Sequence, residues 1–210
     1  MSSTETQTRS SAFDELYAKT LSFRPPLLHP PKPHTPSLAD PISSLRVHPA
    51  LEAALHILNY DLPSAHFLVR KMQSLPAAEG MFLHGVLHRI EGDYDNARAW
   101  YKDVSDTEVM EKVWGKGEGV KGGKAEKFIS EVQDLDQRLR KGEKGEGVEK
   151  EQTRLENESK RELKGIVDYC LNTMGRGVWQ DARGAYVESS EKIKKMGQDQ
   201  TTGPGGMRKF

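Results

Sequence analysis

Five of the seven histidines fall in one short window, at His48, His56, His66, His84 and His88. An imidazole ligates metals and carries protons near neutral pH. His84 and His88 stand at i and i+4, so both rings share one face of a helix, a spacing that suits a metal ion. Glu79, Glu91 and Asp93 lie close by in the chain. Three such ligands around a divalent metal, with one position left open, would serve hydrolytic or redox chemistry. The string HGVLH lacks the glutamate of the HExxH metalloprotease motif. The competing reading is neutral histidines hydrogen-bonded between packed helices.

Other enzyme signatures are missing. The chain has no GxGxxG after a strand, no P-loop and no GxSxG. Its single cysteine, Cys170, falls on the apolar face of a helix, where packing is the expected role rather than nucleophilic attack. One thiol forms no internal disulfide and rules out a four-cysteine zinc site, which fits a reducing compartment. The N-terminus has no apolar core of a secretory signal, and no apolar run nears the roughly 18 residues of a membrane span. These readings place the protein in the cytoplasm, with the nucleus as the alternative, and away from membranes.

Lys and Arg (31) balance Asp and Glu (31), so no global field attracts nucleic acid. The Lys-rich pieces 112–127 and 138–150 are interrupted by acids, and no nucleic-acid partner is expected. The hydrophobic fraction is 35% and the mean hydropathy is −0.71, which predicts a modest core with long solvated segments in the 210 residues.

The elements that must position these residues read as helices. Residues 1–41 form a disordered, Pro-rich segment with one short helix at 12–21. Seven prolines between 24 and 41, with two overlapping PxxP frames, predict a stiff extended linker. Residues 42–114 form the helical core. Leu51, Ala54, Leu55 and Leu58 make one apolar stripe, followed by a second helix capped by Asp61. Pro76 opens a third helix, Gly92 permits a turn, and Asp93 caps a fourth. Residues 115–158 are a charged Gly/Lys-rich insertion with one exposed helix. Residues 159–190 hold C-terminal helices that pack on the core, and 191–210 form a flexible tail.

The core repeats. A shift of 32 places Leu55-His56 on Leu87-His88, Asp61 on Asp93 and Ala65 on Ala97. By this equivalence His56 joins His84 and His88 as a third candidate ligand. Gly85, Gly92, Asp93, Tyr94, Ala97 and Tyr101 make the second unit resemble the tetratricopeptide-repeat (TPR) family. The string LHRIEGDYDNARAWY is also similar to that of small uncharacterised fungal proteins, which carries over no activity. His84 and His88 replace a usual leucine and a usual aromatic, and Val109 stands at the place of a closing proline.

The TPR resemblance implies an all-α fold: a short stack of antiparallel helical hairpins with extra C-terminal helices. It implies a protein or peptide partner bound on the first-helix surface by Glu79, Phe82, Val86 and Arg89, with no cofactor. The expected function is that of a non-catalytic interaction module. The alternative is a metal-dependent enzyme using His56, His84 and His88.

Overall fold

The computed structural model describes residues 3–28 and 32–187. Among them every regular element is helical, and the sole strand-like pairing is an isolated bridge between Met72 and Val187. The expected tail at 191–210 lies outside the described residues.

The helices are α1 (Ser3–Leu21), α2 (Ala39–Ser44), α3 (Pro49–Leu58), α4 (Leu62–Val69), α5 (Ala78–Glu91), α6 (Tyr94–Asp103), α7 (Glu108–Trp114), α8 (Lys124–Arg140) and α9 (Glu146–Met174). Short 3-10 turns occupy Pro36–Leu38 and Ala182–Ala185. Helix α1 extends well upstream of the expected 12–21, because no proline or glycine in 3–11 interrupts it.

Helices α3 and α4 pack as one hairpin, and α5 and α6 as another. The reason lies in the short turns: two or three residues leave consecutive helices no choice but to fold back. Helix α5 is buried almost all round, its polar Glu79, His84 and Arg89 included, and packs against α3, α4, α6 and α7. The α5–α6 crossing is close at Gly85, where an added Cβ would stand 2.7 Å from Tyr101 Cδ2 and 3.0 Å from Trp100 Cβ. We predict that Gly85→Val costs about 2 kcal/mol or more through overpacking. Thermal unfolding tests this, and an unchanged melting temperature would show that the hairpin can open to admit a side chain.

Two expectations from the sequence are corrected. The Pro-rich segment is not a detached linker. Prolines take donors out of the chain, but their carbonyls still need partners. Tyr60 Oη donates to the Pro25 carbonyl at 3.2 Å and accepts the Leu27 N–H at 3.2 Å. Ser159 Oγ donates to the Pro26 carbonyl. The Asn59 side chain bonds both the N–H and the carbonyl of Thr35, each at 3.0 Å. Leu27, Leu38 and Ile42 are buried. The described parts of the segment, 24–28 and 32–41, are therefore strapped across the α3–α4 turn and onto α9, and 29–31 lie outside the described residues.

The insertion at 115–158 is likewise not an excursion with an exposed helix. Helix α8 buries Ala125, Phe128, Ile129, Val132 and Leu135. Helix α9 begins at Glu146, inside the expected insertion, and continues unbroken to Met174. The low apolar content of this region is concentrated on one stripe of each helix, which suffices for burial. The charges turn outward and pair, as in Arg154–Glu131 at 3.1 Å and Arg138–Glu143 at 2.9 Å. No helix among the described residues is long and apolar enough to cross a membrane.

Candidate functional site

The repeat has a clear structural counterpart at the two turns. Asp61 caps α4 by accepting the Ser64 N–H at 3.4 Å, and Asp93 caps α6 by accepting the Asn96 N–H at 3.4 Å. The Asp61 amide donates to the His56 carbonyl at 2.8 Å, and the Asp93 amide to the His88 carbonyl at 2.8 Å. Between them Tyr60 and Gly92 both adopt left-handed backbone, φ 58° and 81°. His56 Nδ1 stands 3.0 Å from Asp61 Oδ2, and His88 Nδ1 stands 3.5 Å from Asp93 Oδ2. Each of these ring nitrogens thus lies beside the aspartate that caps the next helix, at ion-pair distance.

That arrangement does not assemble the expected ligand set. His56 is held in its own turn, apart from the other two rings. Among the described residues no group of three or more His, Cys, Asp or Glu side chains is arranged to hold a metal ion. The histidine that joins His84 and His88 is His66 of α4, with ring centroids 5.4 and 5.7 Å away. Its Nε2 lies 3.0 Å from Glu91 Oε1. His84 stacks on both His88 (4.9 Å) and Trp100 (4.5 Å). Burial, and then the neighbouring His88 and His66 charges, push the His84 imidazole down from 6.5 to about 3. A ring so disposed is neutral at physiological pH and packs as an aromatic.

The four residues expected to face a partner are inside. Phe82, Val86 and Arg89 are fully buried and Glu79 nearly so. Phe82 meets Tyr101 edge-on at 5.0 Å. Arg89 does pair with a carboxylate, but one from its own chain: Nη2 donates to Glu162 Oε2 at 2.8 Å and to Ser159 Oγ at 3.0 Å. The second oxygen of Glu162 accepts Tyr101 Oη–H at 2.6 Å and Trp114 Nε1–H at 3.1 Å. The Arg89 guanidinium also lies over the Phe128 ring, 4.7 Å from its centroid. Helices α8 and α9 thus take up Arg89, while Phe82 packs on α6, and the face that the sequence assigns to a partner is inside. Burial works to lower the Arg89 pKa, and Glu162 with Tyr101 brings it above its ordinary value.

Glu162 and Ser159 were not legible as site residues. The available signal is register. Leu155, Ser159, Glu162 and Ile166 follow one another at helical spacing, which places an acid on a buried stripe. Burial raises the carboxyl of Glu79 and the thiol of Cys170, so Cys170 is protonated and unreactive.

Two of the surface clefts lie among the described residues. One, about 360 Å³, lies along α3 and α4 and includes Glu52, Pro63, Ser64 and Phe67. The other, about 300 Å³, lies between α6, α8 and the 115–123 loop. Three large apolar side chains are exposed among the described residues: Phe67 (56%), Leu75 (58%) and Val120 (43%). Phe67 lines the first cleft and Val120 the second. No known family pattern, curated protein or solved structure matches this chain.

Proposed function

We propose that the protein is a non-catalytic interaction module, built on TPR-like hairpins, that holds a peptide segment of a protein partner in a surface cleft. The observation that carries this reading is the coincidence of exposed apolar side chains with concave surface at Phe67 and Val120. Exposed apolar groups set in clefts are what a partner covers. The interior supports the same reading, because Arg89, Glu162 and His84 are engaged in buried pairing and packing.

A peptide library displayed on phage and selected on the full-length protein tests the reading. Selected sequences are expected to share an apolar anchor. As synthetic peptides they should bind wild type about tenfold or more tighter than Phe67→Ser/Val120→Ser, because each lost apolar anchor is worth at least about 1.4 kcal/mol. No enrichment, or hits indifferent to both substitutions, would sink the proposal. So would turnover of a substrate that disappears in His84→Ala/His88→Ala.

A further inference from the structure

The Gly/Lys string 115–124, which the helical core does not explain, builds one wall of the second cleft. Glycine makes this possible at Gly119, where a Cβ would stand 2.7 Å from Met110 Cγ and 3.0 Å from Ser105 Cα. The loop is pinned at both ends of its turn. Glu118 accepts the Lys124 N–H at 2.8 Å and pairs with its ammonium at 3.3 Å. Gly123 N–H donates to the Val120 carbonyl at 2.9 Å, and Glu126 accepts the Gly122 N–H. Val120 and Lys121 are therefore presented at the cleft by a loop that is already shaped, so little ordering cost falls on a ligand.

The chemistry of the cleft is lopsided. Its exposed apolar surface comes from Val120, with Tyr101 and Ile129 buried behind it, and its rim carries Lys102 and Lys121. Neither ammonium has a carboxylate within ion-pair distance among the described residues. The acid in the lining, Glu126, is turned to the Gly122 amide. The third cation, Arg98, is engaged by Gln133 at 2.7 Å and Ser130 at 3.2 Å. Two uncommitted positive charges beside an apolar floor attract negative charge flanking an apolar group. About 300 Å³ admits one or two side chains, not a helix.

We infer that the α6–α8 cleft binds a short acidic segment of a partner protein, one apolar side chain seated against Val120 and flanking carboxylates on Lys102 and Lys121. This rests on the interaction reading above and specifies its occupant.

The test uses the full chain, labelled with nitrogen-15, and a synthetic hexapeptide with a central Leu-Phe pair between two glutamates on either side. Two control peptides carry lysines for the glutamates, or serines for the central pair. The acidic peptide should shift the amide signals of Gly119, Val120 and Lys121. Lys102→Glu/Lys121→Glu, a surface change, should weaken it about tenfold or more. Binding should also weaken as salt rises from 0.05 to about 0.5 M. Equal binding of the lysine peptide, or no shift at these amides, overturns the assignment. If the acidic peptide shifts signals around Ser64 and Phe67 instead, this cleft is the wrong one and the interaction reading stands. If library selection also yields nothing, that reading falls with it.

Discussion

Arg89→Met should lose roughly 3–5 kcal/mol of unfolding free energy, because it strands the Glu162 carboxylate inside the protein without its cation. Both side chains of the pair are fully buried. Glu162 would keep only the Tyr101 hydroxyl and the Trp114 indole as donors. Glu162→Leu should cost a similar amount, since Arg89 Nε and Nη1 have no hydrogen-bond partner among the described residues even in the intact protein. The double variant Arg89→Met/Glu162→Leu should recover much of either single loss. Removing both charges also removes the cost of desolvating them. Urea unfolding of the four proteins closes the cycle. Additive losses in the double variant would show that the two residues act independently and that the pair is not the unit described above.

Acid should unfold the protein earlier than its balanced composition suggests, through His84 and His48. Burial lowers His48 from 6.5 to about 4, and its Nδ1 accepts the Ala50 N–H at 3.2 Å to cap α3. A protonated His48 has no lone pair left for that cap. His84, held near 3, is stacked between helices beside two other imidazoles. For both groups the unfolded chain takes up a proton near pH 6.5 while the folded chain does not. Above pH 6.5 they cost nothing; as pH falls from 6.5 toward 4, each removes about 1.4 kcal/mol per pH unit.

Glu79 works the other way. Burial raises its carboxyl, so the cost of keeping it ionised disappears as pH falls through its folded value. Equilibrium unfolding between pH 7 and 4 should give a slope that is shallower by one group's share in His84→Gln, and likewise in His48→Asn. Slopes equal to wild type in both variants would assign the acid sensitivity elsewhere.

The local grammar of the core was legible in the chain because it is local. Asp61 and Asp93 cap helices through contacts three residues away, and Gly92 takes a left-handed turn that its missing Cβ favours. The shift of 32 that pairs His56 with His88 reappears as two equivalent histidine–aspartate contacts. The repeat equivalence predicts neighbouring rings, whereas each ring lies in its own turn. The same spacing that put His84 beside His88 gave no sign of His66, which arrives from another helix.

By itself, then, the sequence determined an all-helical chain, the hairpin turns at Asn59–Asp61 and Gly92–Asp93, the caps, and the small residue at the α5–α6 crossing. These depend on backbone torsions and on neighbours within one turn of helix. Which faces are inside depends on long-range packing. Helix α5 is buried on nearly every side, so periodicity alone does not say whether Glu79, Phe82, Val86 and Arg89 meet a partner or the chain's own helices. The answer came from residues some seventy positions away, where Ser159 and Glu162 supply the polar groups that make burying Arg89 tolerable. In the same way the Gly/Lys string became a wall rather than a tether once Met110 and Ser105 lay against Gly119, a contact that composition cannot announce.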